Sequence, residues 1–108
     1  MILRTWRGWV RSEQAEEYAA YVERTGLSGY RETAGNHGCQ VATRDLGDGR
    51  AEVLTLSWWE SMEAIRGFAG DEVEVARFYP EDDEYLVDRE TTAYHYVIED
   101  GASRPSGT

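Results

Sequence analysis

The chain has 108 residues, of which 41% are hydrophobic and 30% are charged, and its formal net charge is −10. This length and composition are typical of one folded domain, and no apolar run approaches the roughly 18 residues that cross a bilayer. The negative charge and a pI near 4.5 argue against nucleic-acid binding, because a phosphate backbone would be repelled. A single cysteine, Cys39, excludes an internal disulfide and a multi-thiolate metal site. The N-terminal residues lack the pattern of a signal peptide, which predicts a cytoplasmic protein without a membrane span.

The first two predicted elements are a strand and a helix. Residues 2–10 contain β-branched and aromatic side chains on both faces, so we expect a strand that is covered on both sides. Ser12 is a favoured N-cap residue for the helix that follows, and Gly26 is expected to end it. The helix presents an apolar stripe that consists of Ala15, Tyr18, Ala19 and Val22.

A hairpin and a second helix come next. Residues 39–45 and 51–59 are predicted strands, joined by a turn with an Asp-Gly pair. Ser61 begins a helix that Gly70 ends, and residues 71–78 are compatible with either a short helix or a strand before Pro80. The apolar stripe of this second helix consists of Met62, Ile65, Phe68 and Ala69.

The remaining chain contains an acidic run and one more strand. Residues 81–84, EDDE, lack the spacing of a calcium loop and are predicted to be solvated surface. Residues 90–99 alternate as the last strand, and residues 101–108 are expected to form a flexible tail after a single domain of residues 1–100. The order strand, helix, strand, strand, helix, strand predicts a ferredoxin-like α+β fold, with two main helices on one face of a four-stranded antiparallel sheet. Because the other face is also apolar, we expect a homodimer that forms by sheet-to-sheet packing.

Stretches along most of the chain resemble the antibiotic biosynthesis monooxygenase family of dimeric α+β barrel proteins. They are ILRTWRG, TGLSGYRETAGNHG, LTLSWWESMEAIRGFAGDE, FYPEDDEYL and YHYVIE. The resemblance implies a dimeric barrel with a pocket between sheet and helices, and a cofactor-free oxygenase that converts aromatic phenols into quinones. The positions that correspond to functional residues of the haem-degrading branch are near Arg7, at Phe68 and at Phe78. They offer no ligand for iron, so we expect neither a cofactor nor a metal.

Cofactor-free oxygenation requires a group that handles the phenolic proton and a dry aromatic pocket. His95 lies mid-strand between two tyrosines and is the candidate catalytic base or orienting group, with a hydrogen-bonded structural histidine as the alternative. His37, in a glycine-rich loop, is expected to be a solvated turn residue. The candidate substrate-binding residues are Trp6, Trp59, Phe68, Tyr79 and Arg4.

Each of these candidates also has a structural interpretation. The aromatic residues could form the core, and only one of Trp58 and Trp59 can face the helices, for which we favour Trp59. Arg4 and Arg7 lie on opposite faces of an apolar strand, where each needs a carboxylate, a ligand or water. Pairing with one of the 21 acidic residues is the simplest outcome for both.

Together these patterns predict a cofactor-independent monooxygenase-like enzyme for an aromatic or hydrophobic small metabolite, of the kind found in secondary metabolism. Two alternatives stay open. The protein could be a non-catalytic dimeric barrel that binds a small ligand, or an isomerase or cyclase on the same scaffold. A cavity of several hundred Å³ with His95 at its wall favours an enzyme, whereas a tightly filled interior favours the binding barrel.

Overall fold

Five strands form one antiparallel sheet in the computed structural model, which describes residues 1–99 and 101. They are β1 (Ile2–Arg11), β2 (Asn36–Asp45), β3 (Arg50–Trp59), β4 (Leu86–Arg89) and β5 (Tyr94–Val97). The spatial order is β2-β3-β1-β4, and β5 also pairs with β1. The predicted ferredoxin-like α+β architecture is confirmed. The predicted tail, from residue 102 onward, lies outside the described residues.

The helices pack against one face of this sheet. They are α1 (Ala15–Val22), α2 (Ser28–Arg31), α3 (Met62–Ala69) and α4 (Asp82–Tyr85), with a 3-10 turn at Ser12–Gln14 and a π-helical segment at Glu23–Leu27. As predicted, α3 begins after Ser61, whose side chain accepts a hydrogen bond from the Ala64 amide, and it ends at Gly70 with φ of 84°. No helix in the described part of the chain is both long and apolar enough to span a membrane.

The predicted boundaries of the first helix are wrong at both ends. Ser12 makes no capping hydrogen bond, and its hydroxyl instead donates to Asp45 Oδ1 at 3.4 Å. Gly26 does not end the helix, because the chain continues through the π-helical segment into α2. This continuation buries Leu27 and Tyr30 in the core. Their burial outweighs the cost of about 1 kcal/mol for a glycine inside a helix.

The predicted final strand is shorter than expected, and a strand that was not predicted precedes it. Within residues 90–99 only β5 (Tyr94–Val97) is a strand, and it pairs with residues 2–5 of β1. β4 (Leu86–Arg89) pairs with residues 8–10 of β1. Residues 71–78 are neither a helix nor a strand of the sheet. They form a loop in which Val75 makes an isolated bridge with Thr92. The chain between β4 and β5 therefore holds this loop beside the sheet.

The two faces of the sheet have different surroundings. Alternate residues of β1 and β3 are buried under the helices, and Trp59 is completely buried among them. Residues on the outer face are half-buried or exposed, including Tyr94 at 46% and Tyr96 at 55% exposure. We expected both faces of β1 to be covered. Within a single chain, only the face under the helices is covered. This outer face also carries Leu3, Thr5, Trp9, Leu54, Leu56 and Trp58.

Candidate functional site

A small cavity lies between the inner face of the sheet and the helical layer. Its volume is about 40 Å³, which holds a few water molecules, whereas an apolar cavity of about 150 Å³ is needed for benzene. An aromatic ring therefore enters only if side chains in the wall move. The cavity is lined by Arg4, Trp6, Tyr18, Val22, Thr25, Gly26, Leu27, Tyr30, Thr55, Phe68, Ala76, Arg77, Phe78, Tyr79 and Asp82.

Four of the six predicted site residues line this cavity: Arg4, Trp6, Phe68 and Tyr79. Trp6 is fixed by an indole N–H that donates to the Glu90 carbonyl at 2.6 Å. The other two predicted residues, Trp59 and His95, do not line the cavity.

Trp59 faces the helices, but it lies behind the cavity wall. Its ring is 6.4 Å from the Phe68 ring and meets Tyr30 edge-on at 5.7 Å. Its indole N–H donates to Ser57 Oγ at 2.8 Å. Trp59 is therefore not in the lining of this cavity, and it packs behind Phe68 and Tyr30.

Arg4 is the most unusual group at the cavity. Arg4 is only 2% exposed, and its Nη1 donates to the Val73 carbonyl at 2.6 Å. Nε is buried without a hydrogen-bond partner, and no carboxylate of the described residues pairs with this guanidinium. The expected salt bridge is thus wrong for Arg4. It is confirmed for Arg7, which pairs with Glu90 at 2.9 Å on the outer face.

His95 contacts Arg4 from the neighbouring strand. The two residues are paired in the register of β1 and β5, and Arg4 Nη1 lies 2.9 Å from His95 Nε2. Because a guanidinium only donates, Nε2 is the acceptor and the proton of the neutral ring is on Nδ1. Burial and the nearby Arg4 charge lower the pKa of His95, while Glu74 acts in the opposite direction. His95 is therefore neutral at physiological pH, and the lone pair on Nε2 accepts the hydrogen bond from Arg4.

A buried carboxylate lies in another part of the cavity wall. Asp82 is 5% exposed, so the prediction that residues 81–84 are all solvated surface is wrong. Asp82 Oδ1 accepts from the Tyr18 hydroxyl at 2.8 Å, and Oδ2 accepts from the Tyr79 amide at 2.6 Å. Burial and then Asp82 raise the pKa of Tyr18, which keeps this phenol protonated as a donor. Both carboxylate oxygens of Asp82 are thus occupied.

One signal in the sequence pointed to Asp82. In the stretch YPED, a proline and then an acidic residue follow Tyr79 at the positions where helices favour Pro at N1 and Glu at N3. Such an acidic side chain turns back to the backbone amide three residues earlier, as Asp82 does. The other lining residues that were not predicted have no comparable signal in the sequence, because only the tertiary fold brings them together. They include Tyr18, Tyr30, Thr55, Arg77 and Phe78.

Arg77 covers the cavity from the solvent side. Its residue is exposed, and its Nη1 donates to the Phe68 carbonyl at 3.1 Å. The guanidinium lies 5.1 Å from the Phe68 ring and 5.4 Å from the Tyr79 ring. Arg77 is therefore the most accessible charged group of the lining.

The side chains at the positions that correspond to the haem-degrading branch do not provide an iron ligand. Phe68 and Phe78, at the positions that correspond to the haem-degrading branch, have no lone pair to offer iron. The lone pair of His95 Nε2 faces Arg4. Within residues 1–99 and 101, no three His, Cys, Asp or Glu side chains are grouped so that they could hold a metal ion.

The architecture matches solved structures of monooxygenase-type proteins. A Bacillus cereus protein described as an antibiotic biosynthesis monooxygenase is 18% identical, with a TM-score of 0.66 over 94% of this chain and 96% of that chain. The monooxygenase ActVA-Orf6 of Streptomyces coelicolor, solved with Nanaomycin D, is 20% identical, with a TM-score of 0.55 over 97% and 92%. An MhuD variant with two manganese protoporphyrin IX bound per active site is 17% identical, with a TM-score of 0.61 over 95% and 100%.

No protein-family model matches the sequence, and no curated protein is similar to it at a significant level. The structural likenesses cover nearly the whole chain at low identity. They establish that this chain has the fold of the antibiotic biosynthesis monooxygenase proteins, as the sequence resemblance predicted.

Proposed function

We propose that the protein is a cofactor-independent monooxygenase that acts on an aromatic, hydroxylated small molecule. The observation that carries this proposal is a buried arginine without a carboxylate partner at an aromatic cavity. A buried cation is costly unless something compensates it. A phenolic oxygen that ionises on binding supplies that compensation, and the aromatic wall accommodates the ring.

The proposed reaction uses the substrate as the source of electrons. The positive charge of Arg4 lowers the pKa of a bound phenol, whose proton passes to water. The phenolate transfers one electron to dioxygen, and the resulting phenoxyl radical and superoxide combine at a ring carbon that carries hydrogen. The peroxide anion takes a proton back from water and then loses one H₂O, with the hydrogen of the same ring carbon, to leave a quinone. Overall, a phenol and one O₂ give a quinone and one H₂O. In this scheme, His95 orients Arg4 rather than acting as the base.

A non-catalytic ligand-binding barrel is the second candidate, and two observations favour it. The cavity is small, and His95 is not on its wall. An isomerase or cyclase is the third candidate, since Arg4 would stabilise an enolate in the absence of oxygen just as it would a phenolate. Oxygen consumption distinguishes the monooxygenase from both alternatives.

Oxygen uptake with phenols and anthrones tests the proposal. We expect uptake to match quinone formation measured by absorbance. We also expect Arg4→Met to lower kcat/KM by about 10- to 100-fold, the loss typical of one charged hydrogen bond. Arg7→Met is the matched control, because Arg7 lies on the opposite face of the same strand, and its rate should stay within about twofold of wild type. Product formed without oxygen uptake indicates an isomerase or cyclase, and binding without product supports the barrel.

We also propose that two copies pack through the outer face of the sheet. Tyr94 and Tyr96 are about half exposed there beside half-buried Leu56 and Trp58. Covering such apolar area is worth about 25 cal/mol per Å², and a second copy of the same face is the simplest cover.

Sedimentation velocity at micromolar concentration is expected to give the mass of a dimer. Leu56→Glu should shift it to a monomer with an unchanged circular dichroism spectrum, because a charge would be buried in the contact. Val75→Glu, which replaces an exposed valine on the loop, is the control and should remain dimeric. A folded wild-type monomer at this concentration would refute the dimer.

A further inference from the structure

We infer that the ligand of the cavity binds as an anion, and that Arg4 holds its charged oxygen while His95 positions the guanidinium. The ligand class is an aromatic ring that bears a carboxylate or a phenolate. The inference rests on the proposed function for the location of the ligand. It does not depend on the proposed reaction.

The hydrogen bonds of Arg4 leave one edge of the guanidinium without partners. The Val73 carbonyl and His95 Nε2 both contact Nη1. The edge that arginine presents to a carboxylate side-on consists of Nε–H and an Nη2–H. Neither atom has a hydrogen-bond partner among residues 1–99 and 101, and Nε is fully buried. Because Nε is fully buried, an oxyanion reaches this edge only when side chains in the wall move, as the entry of an aromatic ring also requires. It would then supply the missing acceptors.

The other charged groups of the lining also favour an anion. Arg77 is a second cation, and it lies on the solvent side of the cavity. Asp82 is the only carboxylate of the described lining, and both of its oxygens already accept hydrogen bonds from Tyr18 and Tyr79. The cavity therefore carries uncompensated positive charge, although the whole chain has a net charge of −10. Oppositely charged ligands are attracted to such a local field.

His95 is a positioning residue in this arrangement. Its neutral imidazole accepts from Nη1 and leaves the Nε edge of Arg4 unengaged. A glutamine at this position retains a neutral acceptor of similar reach, whereas alanine removes it. The conservative substitution should therefore preserve ligand binding, and alanine should weaken it.

Matched pairs of anionic and neutral aromatic compounds test the inference. Binding of benzoate and benzamide, and of 4-nitrophenolate and 4-nitroanisole, is measured by calorimetry and by the fluorescence of the tryptophans. We expect at least tenfold tighter binding of the anion in one or both pairs, and the favoured pair identifies the oxyanion. Equal affinity within both pairs, or no binding of either anion at millimolar concentration, would overturn the inference.

Four variants and one control variant test whether Arg4 and His95 cause the preference for the anion. Arg4→Met should abolish it without weakening the neutral compounds, and Arg4→Lys should keep only part of it, because lysine has charge but no fork. His95→Ala should lower anion affinity several-fold, and His95→Gln should restore it. Arg7→Met should bind as wild type. An anion preference that persists in a folded Arg4→Met protein contradicts the assignment. Retained preference without oxygen uptake refutes only the monooxygenase proposal.

Discussion

Replacement of Trp59 by alanine is expected to lower the free energy of unfolding by about 3–5 kcal/mol. Trp59 is completely buried and packs against Tyr30 and Phe68 at the centre of the core. Its loss opens a cavity behind two lining residues and removes the donor to Ser57 Oγ. Because Tyr30 of α2 and Phe68 of α3 pack against this side chain and line the cavity, the substitution should also reduce ligand affinity.

Trp58→Ala is the matched control, because the neighbouring tryptophan lies on the outer face and is only half-buried. Its loss in unfolding free energy should be about half that of Trp59→Ala or less. Urea denaturation measures both variants in the Leu56→Glu background, which we expect to be monomeric, because Trp58 lies in the proposed dimer contact and its loss would otherwise include the loss of dimerisation. Equal losses in the two variants would contradict the packing assigned to Trp59.

The sheet and its second helix could be predicted because their signals are local. Ser61 and Gly70 mark the two ends of α3, and the alternating residues of β3 mark a strand whichever partner it has. The continuation through Gly26 could not be predicted, because burial of Leu27 and Tyr30 by distant elements overrides the local stop signal. The short strand β4 likewise could not be predicted, because it forms only on the part of β1 that β5 leaves unpaired.

The aromatic character of the site was predictable, whereas its polar contacts were not. Parity along β1 puts Arg4 and Trp6 on one face, and helical spacing puts Phe68 on the apolar side of α3. The contact between Arg4 and His95 requires the register of β5 against β1, which no single stretch of sequence encodes. Of the two roles expected for His95, base or orienting group, this register favours the orienting group, because Nε2 accepts from Arg4.

The buried carboxylate leads to the second large prediction. Asp82→Ala is expected to lower the free energy of unfolding by about 2–6 kcal/mol, because two donors would lose their acceptor and each such loss costs about 1–3 kcal/mol. These donors are the Tyr18 hydroxyl and the Tyr79 amide, which tie α1 to the start of α4. Asp82→Asn should fall between alanine and wild type, since an amide offers one acceptor where the carboxylate offers two.

Asp83→Ala provides the control, because Asp83 is the next residue in the first turn of α4 and so interacts similarly with the helix dipole. Its side chain is 83% exposed and pairs only with Arg89 at the surface, so its removal should cost about 0.5 kcal/mol or less. Thermal and urea unfolding of the three variants against wild type measures the ranking. If Asp82→Ala is as stable as Asp83→Ala, the two hydrogen bonds do not hold this wall of the cavity. If Asp82→Ala alone is destabilised, the acidic run contains one structural residue that fixes Tyr18 and Tyr79 in the cavity wall.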